Sequence, residues 1–294
     1  MAFFSSVEHA RDTLASTGYL VDEELATVVF LGDVMGKPLL LEGPAGTGKT
    51  ELAKAVAAGT GAALIRLQCY EGLDEARALY EWNYRKQLLR IQTAQAAEGQ
   101  GAAWDDLHDD IFSEEFLLER PLLAAIRHTG PLVLLIDETD KADVEVEGLL
   151  LELLSDFQVT IPELGTISAV RRPFVVLTSN ATRDLSEALR RRCLHSQVQY
   201  PDAARECAIV RSRVPEVSEE LAGQIVKAVR AMRTLDLRKP PSVAETIDWA
   251  RALSALGHHE LGTAVAAQTL GVVLKNDQDK AKVRDRLHLA VPSS

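Results

Sequence analysis

Residues 39–54 read LLLEGPAGTGKTELAK: an apolar run, a glycine-rich turn, then Lys49 and Thr50 at the head of a second periodic stretch. Gly43, Gly48, Lys49 and Thr50 fit the spacing G-x-x-x-x-G-K-[ST], in which glycines let backbone N–H groups converge on phosphate oxygens. That use needs a strand before the turn and a helix after it. Pro38 to Leu41 is short, apolar and edged by turn residues, as a buried parallel strand is, while TELAKAVAAG has apolar residues at helical spacing and stops at Gly59. The turn therefore opens onto a helix N-terminus, where the dipole favours negative charge. Lys49 is expected to reach the β and γ phosphates and Thr50 to ligate Mg²⁺. Gly43, Pro44, Ala45, Gly46, Thr47, Gly48 and Glu51 complete the expected nucleotide-contacting stretch. The competing reading is a chance glycine loop.

A second signal lies downstream in PLVLLIDETDKAD. Leu132 to Ile136 is nearly continuous apolar sequence, the pattern of a central parallel strand, and it delivers Asp137 and Glu138 at its C-terminal end. Ligands of open α/β sheets sit at such ends. Asp137 is suited to hold Mg²⁺ through water, and Glu138 to orient or deprotonate the water that attacks a γ phosphate. Alone, the pair reads as readily as a solvated acidic turn; together with the loop at Gly43 it reads as catalytic. FQVTIPELGTISAVRRPFVVLTSN gives a β-hairpin around Pro162 to Gly165, then a buried strand from Phe174 to Thr178 with Asn180 at its tip. Asn180 suits the positioning of water, although TSNATRD is also capping chemistry. Arg190, Arg191 and Arg192 fall together in SEALRRRCLH. Three such residues decorate a solvated face, or one of them meets a phosphate as a finger.

Between these signals the chain alternates. The opening stretch carries helical periodicity in two pieces separated by Gly18-Tyr19-Leu20, and AALIRLQCY is a second strand. Residues from about 71 to 120 exceed an ordinary crossover. Here DEARALYEWNYRKQLLRIQTAQAAE predicts one long helix, GQGAAWDDLHDD a loop, and FLLERPLLAAIRHTG a helix with Pro121 near its first turn. From Pro201 the alternation stops, and four helical patterns follow, split by Pro215, Pro240-Pro241 and Gly257. The expected division is a nucleotide-binding α/β core over 1–200 and a small all-helical domain over 201–294.

With 294 residues and 47% hydrophobic content the chain can bury a sizeable core. Its net charge of −11 argues against non-specific nucleic-acid binding as its main business. Cys69, Cys193 and Cys207 are scattered and form no C-x-x-C pair, so they read as reduced packed thiols. The seven histidines show no metal-ligand spacing. No segment reads as a leader or a membrane span, and a cytoplasmic location is expected.

A phosphate loop, an Asp-Glu strand end, a polar strand tip, a late arginine and a helical lid together resemble the AAA+ ATPases, and more narrowly the MoxR family, over nearly the whole chain. The stretch QCYEGLD through ALYEWNY is similar to the branch associated with maturation of the copper-molybdenum site of carbon monoxide dehydrogenase. The resemblance implies a P-loop parallel-sheet core carrying an insertion in helix 2 and a hairpin before the sensor strand, followed by a helical lid. It implies Lys49 and Thr50 as the Walker A pair, Asp137 and Glu138 as the Walker B pair, and Asn180 as sensor 1. It puts the arginine finger at Arg192, with Arg191 a rival because the surrounding residues depart from the family's pattern. Pro241-Ser242-Val243-Ala244 carries no arginine where many relatives have a sensor 2 arginine; either Arg238 or Lys239 substitutes, or the lid reports nucleotide state without it. Also implied are ATP and Mg²⁺, a hexameric ring, a von Willebrand factor A partner, and remodelling or metal-site maturation of a client metalloenzyme. Two other functions remain: a nucleotide-switched binding module with slow hydrolysis, and a DNA-dependent motor, for which no basic domain is evident.

Overall fold

The computed structural model describes residues 2–97 and 110–286, and the expected loop GQGAAWDDLHDD lies outside them except for its last residue. The chain divides into two compact units. The first comprises Met1–Ala10, Glu23–Glu42 and Val56–Ser196; the second comprises Arg11–Asp22, Gly43–Ala55 and Gln197–Ser294.

The first unit is built on a five-stranded sheet of β1 (Leu39–Glu42), β2 (Ala63–Gln68), β5 (Leu132–Asp137), β8 (Phe174–Ser179) and β9 (Leu194–Gln197), in the spatial order β2-β5-β8-β1-β9. The pairings β2/β5, β5/β8 and β8/β1 are parallel. Every residue of β1, β5 and β8 is buried, as the continuous apolar runs require of strands covered on both faces. β2, at the edge of the sheet, is largely exposed and carries Arg66 and Gln68 in an otherwise apolar run. Helices α1 (Val7–Ser16), α2 (Glu23–Met35) and α3 (Lys49–Thr60) fall where the periodicity puts them. The expected hairpin is present as β6 (Gln158–Ile161) and β7 (Gly165–Ser168), paired antiparallel.

The long helix expected after β2 is not formed. The segment breaks into α4 (Glu75–Ala78), β3 (Tyr80–Trp82) and α5 (Tyr84–Ala97). Leu117–Glu119, expected to be helical, is instead β4, paired antiparallel with β3, and only Pro121–Arg127 continues as helix α6. Side-chain packing decides this. Trp82 is buried and meets Tyr80 and Phe112 edge to face, at ring-centroid distances of 6.2 and 5.2 Å, a gain that local helix propensity cannot match. Helices α7 (Val144–Asp156) and α8 (Glu187–Arg192) complete this unit.

The C-terminal part of the second unit is helical: α9 (Ala203–Arg213), α10 (Glu219–Arg233), α11 (Val243–Ala255), α12 (Thr263–Val273) and α13 (Asp277–Arg284). Asp202, Ser218, Ser242 and Asn276 cap four of these helices through side-chain oxygens. Its core holds Trp249, Val226, Val229, Leu253 and Leu270, and the Trp249 indole N–H donates to Thr269 Oγ1 at 2.8 Å. Glu206, fully buried, takes a bidentate bond from Arg233 at 2.7 Å on both oxygens and one from Thr246 at 2.9 Å.

Candidate active site

In the second unit the glycine-rich turn has the backbone that only glycine tolerates. Gly43 has φ +150°, and a Cβ there would lie 2.0 Å from the carbonyl oxygen of Val198. Gly46 has φ +73°, and its Cβ would lie 2.2 Å from that of Ser242. Any side chain at either position forces the loop open. Lys49 is buried, and its ammonium donates to the carbonyls of Gly43 and Pro44 at 2.7 Å each. The cation is thus folded back over the turn's own carbonyls. Thr47 Oγ1 donates to Pro44 O at 3.0 Å, and Tyr19 Oη to Gly48 O at 3.1 Å. Burial raises the Tyr19 phenol far above its ordinary pKa, so it remains a donor. Glu51 pairs with Lys54 at 2.6 Å and Arg213 at 3.7 Å, and Val243 N–H meets Gly46 O at 3.3 Å.

In the first unit the acidic strand end forms one connected network. Asp137, buried on β5, accepts from Thr178 Oγ1 at 2.5 Å on one oxygen and from the Arg66 guanidinium at 2.5 Å on the other. Thr178 also accepts from the Glu138 backbone N–H at 2.9 Å, which locks the turn after β5. Glu138 is left-handed, with φ 56° and ψ 48°, an uncommon backbone for a residue with a side chain and one that gathers at functional sites. Its carboxylate accepts from Gln68 Nε2 at 2.9 Å and Lys141 Nζ at 2.7 Å. Lys141 is raised above its ordinary pKa by that hydrogen bond and by the charge of Glu138. Burial, and then the charges of Asp137, Asp140 and Glu138, push the Cys69 thiol up to about 12.

Asp140 fixes the neighbouring strand tip. It accepts from the backbone N–H groups of Asn180 and Thr182 at 3.1 Å each and from Thr182 Oγ1 at 2.5 Å. Burial acts to raise its pKa, but these bonds outweigh it and leave the carboxyl below its ordinary range. Asn180 is thereby held by its backbone, next to the left-handed Ala181 with φ 56°. Glu147 on α7 binds Arg183 at 2.6 Å and the Ser186 N–H at 3.0 Å, anchoring the start of α8. The three arginines of α8 then separate. Arg190 binds buried Glu42 at 3.0 Å, where His195 Nε2 also sits at 2.8 Å; Arg191 pairs with Glu187; Arg192 bonds Ser155 Oγ at 2.5 Å and Ala188 O at 3.0 Å.

The second unit thus carries a glycine cradle at the start of a helix, and the first a carboxylate pair at the end of a central parallel strand. Residues 38–193, more than half of the chain, match the family described as AAA domain (dynein-related subfamily). The chain belongs to that family. Nucleotide binding goes with the membership, and the protein is an AAA ATPase. It is 26% identical over 219 residues to the denitrification regulatory protein NirQ of Stutzerimonas stutzeri, covering 72% of this chain and 69% of that one. It is 27% identical over 237 residues to the gas vesicle ATPase GvpN of Ancylobacter aquaticus, covering 76% of this chain and 62% of that one. A variant of RuvB from Thermotoga maritima superposes with a TM-score of 0.50 at 18% identity, over 94% of this chain and 73% of that one, a likeness of fold.

The network around the acidic strand end includes residues not singled out from the sequence: Arg66, Gln68, Thr178, Asp140 and Lys141. A signal for the first two was available. They are two residues apart in β2, so they share a face, and they stand at the C-terminal end of a parallel strand. Arg238 and Lys239, considered for the missing lid arginine, give their backbone N–H groups to Asp279 at 3.0 and 3.2 Å. No helix among the described residues is long and apolar enough to cross a membrane.

Proposed function

We propose that the protein is a ring-forming, MoxR-like AAA+ ATPase whose Mg²⁺-dependent ATP hydrolysis remodels a client protein, with maturation of a metal site in the client as the specific task. In this reading residues 1–200 are the nucleotide-binding core and 201–294 the lid. The observation that carries it is the Asp137–Glu138 pair at the end of β5, braced by Thr178 and made left-handed at Glu138. The similarity to NirQ and GvpN supports the narrower assignment.

The residues fit the nucleotide and the metal. The cradle at Gly43 and Gly46 excludes side chains, Thr50 offers a hydroxyl, and Asp137 a hard carboxylate oxygen. Mg²⁺ held by Thr50 and Asp137 would neutralise charge building on the phosphate oxygens. Lys49 exchanges its two carbonyl acceptors for phosphate oxygens, which keeps the ammonium satisfied while it shifts toward the anion. Glu138 orients the attacking water and takes its proton, once its carboxylate is released by Gln68 and Lys141. Asn180, fixed through Asp140, positions the same water. Arg192 of a neighbouring protomer, with Arg191 its rival, meets the charge developed in the transition state. Loss of the γ phosphate then removes the ligand that two protomers share, and the interface resets.

One observation favours a second reading. Both carboxylates are already engaged by side chains of the chain itself, an arrangement suited to a nucleotide-timed binding module with slow hydrolysis. Turnover and mass separate the two readings. We expect Glu138→Gln to bind ATP and assemble without turnover, and mixtures of Glu138→Gln with Arg192→Ala to recover part of the lost activity. Variants that stay monomeric with ATP, and mixtures without recovery, contradict the shared site.

A further inference from the structure

Thr178 and Arg66 meet the two oxygens of Asp137. Thr178 is buried in β8 and cannot withdraw its hydroxyl without disturbing the strand that also holds the Glu138 N–H. Arg66 is different. Its side chain is 47% exposed, whereas that of Asp137 is 4% exposed, and its guanidinium reaches across from the edge strand to Asp137 Oδ2 at 2.5 Å. A long, half-solvated arginine can leave; a buried threonine cannot. The register sets Gln68 directly opposite Asp137, so Arg66, two residues earlier on the same face, spans both. The guanidinium also donates to Gln68 Oε1, while the amide end of Gln68 holds Glu138 at 2.9 Å. The Arg66 guanidinium therefore sits on the carboxylate that a divalent metal would use, and it is tied through the Gln68 amide to the carboxylate that would activate water.

We propose that Arg66 is the resident counter-cation of Asp137, displaced when a divalent metal binds, so that metal binding must overcome the arginine. The proposal rests on Asp137 being a metal ligand. A guanidinium on Asp137 Oδ2 repels a second cation held by the same carboxylate, directly or through water, so Arg66 weakens the metal. Its departure also releases the Gln68 oxygen, leaving the amide free to turn and let go of Glu138. Metal arrival and release of the water-activating carboxylate become one event.

The test is Mn²⁺ binding to the full-length protein at saturating ADP, followed by the loss of the free Mn²⁺ EPR signal, for the wild type, Arg66→Met, Arg66→Lys and Asp137→Asn. Removal of one adjacent positive charge shifts an acid's affinity for a proton by about one to three pK units, and the expected gain for the metal is about tenfold at the low end of that range. Arg66→Met should bind Mn²⁺ about tenfold tighter, with Arg66→Lys close to the wild type. Arg66→Gln carries the same test if Arg66→Met does not fold. Unchanged or weaker binding by the neutral variants, with binding lost in Asp137→Asn, overturns the role of Arg66 and leaves the metal assignment standing. Wild-type affinity in Asp137→Asn overturns both.

Discussion

Replacing Asp140 by asparagine changes one oxygen of a buried group that accepts three hydrogen bonds. Its Oδ2 takes the N–H and hydroxyl of Thr182, and its Oδ1 takes the Asn180 N–H. The best asparagine orientation keeps its oxygen toward Thr182 and turns its NH₂ toward the Asn180 N–H, donor against donor. Hydrogen bonds to charged groups contribute about 1.5–3 kcal/mol each, and a neutral acceptor about 1. One bond is lost outright and two are weakened, so Asp140→Asn should destabilise the fold by about 3 kcal/mol. Urea unfolding at pH 7 measures it. The sign of the pH dependence follows from the lowered carboxyl of Asp140. Its stabilisation is fully present above the unfolded carboxylate value of about 3.9 and is lost as pH falls through the lower folded value. The gap between the wild type and Asp140→Asn should therefore be constant from neutral pH to about pH 5 and narrow below pH 4. Since Asn180 is held through this carboxylate, kcat should fall about tenfold or more while nucleotide affinity is kept. A loss of stability below about 1 kcal/mol with unchanged kcat would mean that Asp140 neither holds the strand tip nor sets Asn180.

Three further outcomes follow from the structure. Gly43→Ala sets a Cβ against the backbone carbonyl of Val198, so nucleotide binding by calorimetry should fall below detection, and near-normal affinity would contradict the cradle. Arg233→Met leaves the fully buried Glu206 without its bidentate partner and should cost about 3–5 kcal/mol in urea unfolding; adding Glu206→Leu should restore most of it, whereas additive losses would show that the pair is not coupled. Burial pushes the Cys69 and Cys193 thiols up to about 12, while Cys207 is only half-buried. A thiol-specific disulfide reagent at pH 8 should therefore label Cys207 first in the native protein, and faster labelling of Cys69 would contradict the packing around β2.

Where structure is local in the sequence it was legible. The phosphate loop is fixed by the spacing of Gly43, Gly48, Lys49 and Thr50, and Asp137–Glu138 by the apolar strand that ends on it. The hairpin of β6 and β7 was readable from the turn residues between Pro162 and Gly165. Features that depend on distant pairing were not. Arg66 meets Asp137 across 71 residues of chain, and Asp140 meets Asn180 across 40. Tyr80 to Trp82 reads as part of a helix because its neighbours carry helical periodicity; it becomes a strand only because Leu117 to Glu119 is there to pair with it. The left-handed turn at Glu138 has no signal in residue type, since it arises from the bond between the Glu138 N–H and Thr178 in another strand.

If Glu138 activates the water that cleaves ATP, a single-turnover comparison will show it. Wild-type protein and Glu138→Gln, each in excess over radiolabelled ATP, would be sampled for bound ATP and for ADP formed. A positioned general base contributes roughly 10²–10⁴ in rate. Glu138→Gln should retain bound ATP and form ADP at least about 100-fold more slowly than the wild type. ADP formation at a comparable rate, with ATP bound equally well, would contradict it.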